Sequence, residues 1–166
     1  LKPGEMYVAN EPSLITTVLG SCISVTMFHK TSGFSIISHA VMPKRANARK
    51  KANNGKDIFQ YVDSSIKWMI AQYEKRGIKP CSVEVKMFGG ATMFPAKNDT
   101  HADLGVGKKN IEAATEMLKA FGMKLLAWNV GDNQGRKIIF NTLNGEILSK
   151  FITGIPDYPP MPKGKK

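Results

Sequence analysis

The sequence predicts one α/β domain in which mixed β-sheets pack with helices. Three observations carry that reading. Strand-like runs with period-two alternation fill the N-terminal quarter. Two segments, 57–76 and 110–121, carry apolar residues at helical spacing. A late pair of strand-like runs surrounds Asn144-Gly145, a hairpin signal. With 166 residues, 42% of them hydrophobic, the chain can bury a core of its own.

In chain order, Glu5 to Val8 and Leu14 to Leu19 read as short strands separated by the turn Asn10-Glu11-Pro12-Ser13. Cys22 to Phe28 and Phe34 to Met42 form a hairpin around His29-Lys30-Thr31-Ser32-Gly33. After Pro43 comes a polar, basic loop to about Gly55. Asp57 to Arg76 has Ile58, Val62, Ile66, Met69, Ile70 and Tyr73 on one helical face, and Gly77 stops it. Ser82 to Phe88 alternates as a strand and ends at Gly89-Gly90. Pro95 to Lys109 is a loop, and the second helix follows through Ile111, Ala114, Met117, Leu118 and Phe121 to Gly122. Lys124 to Val130 is a strand, and Ile138 to Leu143 with Glu146 to Phe151 makes the last hairpin. This gives one domain over 1–152. The Pro- and Lys-rich tail, 153–166, is too interrupted by proline for regular structure.

The charge is uneven. Lys and Arg number 24 against 13 acidic residues, a net +11, and Lys44, Arg45, Arg49, Lys50, Lys51 and Lys56 crowd one loop. Such a balance favours anionic partners, although a solvated surface carries the same residues. No aromatic side chain interleaves the basic run, which speaks against single-stranded nucleic acid. No apolar run approaches the roughly 18 residues of a membrane span, and Leu1-Lys2-Pro3-Gly4-Glu5 lacks the apolar centre of a signal peptide. The chain begins without Met, which leaves room for an upstream segment. Cys22 and Cys81 could pair, but nothing indicates export, so reduced thiols in the cytoplasm are the expectation.

Cys22 is the sharpest candidate for chemistry. A free cysteine is commonly just a small buried residue, yet this one follows Gly20-Ser21, a turn able to expose a side chain and aim N–H groups at a developing oxyanion. His39 lies one hairpin away. If Phe28 faces Gly33, Cys22 stands opposite His39; if Phe28 faces Phe34, the two fall on opposite faces of the sheet. A Cys–His pair needs a third group to orient the imidazole. Thr16 can do so, and Thr17, on the other face of the same strand, competes. Backbone N–H groups near Ser21 and a wall formed by Gly89 and Gly90 complete the candidate site. His29 reads as a solvated turn residue. Asp99-Thr100-His101-Ala102-Asp103 has ligand-like spacing, but a surface loop would carry the same residues, and no metal site is assigned.

At these residues the chain resembles the CheD family, the chemoreceptor glutamine deamidases of bacterial and archaeal chemotaxis. The resemblance rests on Leu19-Gly20-Ser21-Cys22, Ser38-His39-Ala40-Val41-Met42-Pro43, Tyr61-Val62-Asp63, Phe88-Gly89-Gly90-Ala91-Thr92-Met93-Phe94, Gly107-Lys108-Lys109-Asn110, and Gly131-Asp132 ahead of Gly135-Arg136. It implies a fold akin to toxin-type thiol deamidases and a catalytic set falling on Cys22, His39 and Thr16, with no cofactor. It also implies two partners: chemoreceptor cytoplasmic helices as substrate and a CheC-type phosphatase as regulator. No specific nucleic acid and no membrane insertion are expected. A non-catalytic adaptor for the same partners is the alternative. Two places depart from the family pattern, namely Asp103-Leu104-Gly105, where Asn-Ile-Gly is usual, and the strongly basic 44–56 loop.

Overall fold

The computed structural model describes residues 1–45, 56–92 and 105–152. The eight strands are β1 (Met6–Ala9), β2 (Leu14–Leu19), β3 (Ile23–Phe28), β4 (Ser35–Ser38), β5 (Glu84–Gly89), β6 (Leu125–Val130), β7 (Arg136–Asn141) and β8 (Ile147–Phe151). The helices are α1 (Val62–Glu74) and α2 (Val106–Ala120). Five strands form one sheet in the order β1-β4-β3-β5-β6, and three form another in the order β2-β7-β8. Only β5 and β6 pair in parallel, with α2 between them in sequence, as a crossover connection requires.

Period-two alternation splits the large sheet between two cores. Ile23, Val25, Met27, Ile36, Val85 and Met87 join α1 and α2 through Ile66, Met69, Ile70, Tyr73, Ala114 and Leu118. The neighbouring residues Ile37 and Phe88 face the small sheet, where Leu19, Ile138 and Phe140 complete a second cluster. The molecule is therefore layered, with helices on one face of the five-stranded sheet and the three-stranded sheet on the other. The expected mixed α/β domain is the fold found.

Three local expectations differ. The 57–76 segment is not one helix: a 3-10 turn, Lys56–Gln60, precedes α1. Tyr61 between them is extended because the chain there bridges to Met42, with the Val62 N–H bonded to the Met42 carbonyl at 2.8 Å. The first strand of the last hairpin stops at Asn141 rather than Leu143 and the second starts at Ile147 rather than Glu146, leaving a five-residue connection, 142–146. Thr142 leaves the strand because its N–H and hydroxyl both bind Ser13 in the β1–β2 connection.

The third difference sets the register of the site. Phe28 pairs with Ser35 and Thr26 with Ile37, so neither sequence-based register is the one adopted. The same register continues to His29, whose N–H bonds the Phe34 carbonyl at 2.9 Å, so the turn is the four residues 30–33; the Phe34 ring stacks edge-on against Tyr73 at 4.9 Å, with Arg76 over it. Further along, the Ser38 hydroxyl takes the place of main-chain rungs to Val25. Strand pairing resumes at the Ile23–Ala40 bridge. His39 thus lies opposite Ser24 on the face that looks toward the small sheet, two residues along from Cys22.

Candidate active site

Cys22 lies where the chain leaves the small sheet at Leu19 and enters the large one at Ile23. The tight crossing Gly20–Cys22 is held from three sides. Ala91 N–H donates to the Gly20 carbonyl at 2.8 Å and Gly90 N–H to the Cys22 carbonyl at 2.7 Å. From α2, Asn110 Nδ2 donates to the Ser21 carbonyl at 2.9 Å. Gly89, at φ 109°, has no room for a side chain, since a Cβ there would stand 2.2 Å from the Cys22 carbonyl oxygen. The Gly89-Gly90 pair does wall the Cys22 turn, but the Gly90 N–H is already bonded to the turn's own backbone and is not a donor to substrate.

The Cys22 thiol is half-buried against the inter-sheet cluster. Burial pushes its pKa above the usual thiol value, and its own backbone N–H works in the opposite direction. Cys81 is exposed, and both cysteines are free thiols.

His39 is 1% exposed. Its backbone is clamped to the N-terminal segment, N–H to the Glu5 carbonyl at 2.9 Å and carbonyl to the Gly4 N–H at 2.8 Å. Its Nδ1 lies 2.8 Å from Thr17 Oγ1, and the same hydroxyl donates to the Leu1 carbonyl at 2.8 Å. A hydroxyl has one proton. Because Leu1 takes it, Thr17 must accept from His39, which puts the imidazole proton on Nδ1 and leaves a lone pair on Nε2. That nitrogen is buried and has no partner among the described residues. Burial first, and the Leu1 ammonium second, hold His39 well below its usual value, at about 4, against a small opposing effect of Glu5. At neutral pH the Cys22 thiol and the His39 imidazole are both neutral, the imidazole in a fixed tautomer, and no hydrogen bond joins Nε2 to the thiol.

Thr16 is not part of this arrangement. It points outward from β2 and is exposed, between Leu14 and Val18 on the outer face of the small sheet, whereas Thr17 is 3% exposed and faces in. Period-two alternation allows only one of the two adjacent threonines to reach His39, and Thr17 does. At Ser21 it is the carbonyl that is engaged, by Asn110 Nδ2.

Two buried polar residues were not assigned a role from sequence. Asn110 is fully buried, and its Nδ2 also donates to the Val41 carbonyl at 3.0 Å, while Oδ1 has no partner among the described residues. It shares the inward stripe of α2 with Gly107, Ala113, Ala114 and Leu118, and a polar residue in an apolar stripe was the available signal. Arg136 is likewise fully buried at the start of β7, where Arg136, Ile138 and Phe140 alternate inward. Its guanidinium binds the carbonyls of Asn129, Gly131 and Gln134 and the Asn129 side chain, which shapes the 131–135 loop. That loop in turn buttresses the Cys22 wall, Gly131 N–H to the Gly89 carbonyl and Thr92 N–H to the Asp132 carbonyl.

His29 bonds Ser32 in the β3–β4 turn and takes no part in the site. Most of the basic loop, the 99–103 segment with His101, and the tail lie outside the described residues. Lys44, at the loop's start, pairs with Glu116 of α2 at 2.7 Å. Among the described residues no helix is long and apolar enough to cross a membrane.

An α/β scaffold with a cysteine on a tight inter-sheet crossing and an oriented, unprotonated histidine on the next strand has the components of a thiol-based acyl-transfer centre. The chain belongs to the CheD family. A family model described as CheD chemotactic sensory transduction matches residues 41–151. A probable chemoreceptor glutamine deamidase CheD 2 of Geobacter sulfurreducens is 43% identical over 150 residues, which cover 90% of this chain and 87% of the relative. The chemoreceptor glutamine deamidase CheD of Thermotoga maritima is 32% identical over 152 residues, 91% and 90% of the two chains. A probable archaeal counterpart from Methanococcus maripaludis is 32% identical over 148 residues, 89% and 91%.

Proposed function

We propose that this protein hydrolyses the side-chain amide of selected glutamines on the cytoplasmic helices of chemoreceptors, giving glutamate and ammonia. The observation that carries the reading is the Thr17–His39 bond, which presents Nε2 as a base on the face that Cys22 shares. In the first step Nε2 takes the thiol proton and Sγ attacks the amide carbon. The oxyanion is stabilised by the backbone N–H of Cys22. As the carbon–nitrogen bond breaks, His39 returns its proton to the leaving amine and ammonia departs. A water then attacks the thioester with His39 as base. The carbon–sulfur bond breaks, and glutamate and the free thiol remain.

A glutamyl methyl ester has the same acyl carbon and a better leaving group, so the same centre is suited to methylesterase chemistry. A CheC-type phosphatase would compete with receptor for the protein. The test is mass spectrometry of a receptor cytoplasmic fragment incubated with the protein, which locates each exchange of NH2 for OH. Deamidation by wild type and none by Cys22→Ala is the expected result. Unmodified receptor that is nevertheless bound would replace the enzyme with an adaptor.

A further inference from the structure

We infer that Asn110 is a positioning residue for the Cys22 centre: its amide ties the Ser21 carbonyl to the Val41 carbonyl and so turns the Ser21–Cys22 peptide toward the site. The inference rests on the reading of Cys22 as nucleophile and adds a residue that acts on it from α2.

The geometry is specific. Both protons of Nδ2 are used, one on Ser21 at 2.9 Å and one on Val41 at 3.0 Å. These carbonyls belong to the two segments that carry the chemistry, the Cys22 crossing and the strand continuing past His39. Flipping the amide would set Oδ1 against two carbonyl oxygens, so its orientation is fixed by the network. A trans peptide points its C=O and N–H in opposite directions. Holding the Ser21 carbonyl toward α2 therefore holds the Cys22 N–H away from α2.

The anchor itself is rigid. Gly107, one turn earlier in α2, packs so closely on Gly90 and Ala91 that a Cβ would stand 2.5 Å from the Gly90 carbonyl oxygen. Those two residues in turn bind Cys22 and Gly20 through their N–H groups. The two donors of Asn110 satisfy two carbonyls, while its Oδ1 is buried with no partner among the described residues, and an unmatched buried acceptor is unfavourable.

The test uses Asn110→Leu, which keeps the volume and removes both donors, and Asn110→Ala. Each is compared with wild type in three measurements: iodoacetamide alkylation of Cys22 against pH with exposed Cys81 as internal reference, deamidation kcat and KM, and thermal unfolding. In a folded variant, the Cys22 alkylation profile moves to higher pH and kcat falls by about tenfold or more. KM stays within about twofold and Cys81 is unchanged, the pattern of an interaction realised in the transition state. A folded variant with the wild-type Cys22 profile and kcat overturns the inference. Failure of both variants to fold also overturns it and assigns Asn110 to folding alone. If wild type does not deamidate receptor, the proposed function fails, while the alkylation profile still decides the role of Asn110.

Discussion

Thr17 of the small sheet accepts a hydrogen bond from Nδ1 of His39 in the large sheet, across the space between them. Its own proton is committed to the Leu1 carbonyl, so the bond fixes which imidazole nitrogen can act as a base. The neighbouring Thr16 lies on the far face. Thr17→Val should lower kcat by about tenfold to a hundredfold, part of the effect general-base catalysis supplies, with little change in KM. Thr16→Val should leave both constants at wild-type values. Steady-state deamidation kinetics of the two variants decide this, and the reverse ranking would return the role to Thr16.

The depressed His39 pKa sets a pH limit. Protonated imidazole cannot take the Cys22 proton, so activity is lost as pH falls through the folded value of about 4, not through the usual value near 6.5. Stability moves in the same direction. Between pH 6.5 and about 4 the unfolded chain binds a proton that the buried imidazole refuses, so the folded state weakens as pH falls across that window. A kcat/KM profile from pH 3.5 to 8, with urea unfolding at the same points, measures both. An acid limb centred near 6.5 would mean that His39 is solvated or is not the base.

Strand and helix positions were legible because each depends on a local period. The candidate nucleophile and base, Cys22 and His39, stand out because a Gly-Ser-Cys turn and a histidine inside a strand differ from their neighbours. What sequence could not supply depends on long-range contacts. The β3–β4 register, with Phe28 on Ser35, accompanies Phe34 packing on Tyr73, more than thirty residues away. The choice between Thr16 and Thr17 depended on which face of β2 meets the large sheet, and that is fixed only when β2 pairs with β7. Asn110 stood in a motif already noted, and its role appeared only when α2 was placed against the Cys22 crossing.

The basic loop gives a kinetic prediction. Its charges follow directly on the strand that carries His39, and receptor helices with exposed carboxylates are the proposed substrate. Neutral replacements at Arg49, Lys50 and Lys51 should slow association with a receptor fragment at low salt. The difference should fade as the Debye length shrinks to about 8 Å at physiological ionic strength. Cys22 alkylation should be unchanged. Stopped-flow association across a salt series checks this. Equal rates at every salt concentration would leave the charge as solvated surface.

Gly89 and Gly33 separate two reasons for a glycine. Both have positive φ, 109° and 70°, a region that disfavours any residue with a Cβ. At Gly33 nothing lies within 4 Å of the position a Cβ would take, so Gly33→Ala should cost about 1 kcal/mol of backbone strain and leave activity intact. At Gly89 the added methyl would meet the Cys22 carbonyl oxygen at 2.2 Å and the Ile23 Cα at 3.2 Å. Those atoms are backbone and cannot rotate away, so the Cys22 crossing must shift or the β3–β5 pairing at Ile23 and Gly89 must open. Gly89→Ala should therefore destabilise by about 3 kcal/mol or more, within the range of strain at special backbone positions. It should also lose deamidation beyond what its folded fraction accounts for, because the nucleophile's own peptide is what moves. Urea unfolding with activity per folded molecule measures the two effects separately. A Gly89→Ala protein as stable and as active as Gly33→Ala would show that the wall behind Cys22 yields, and that the nucleophile is held elsewhere.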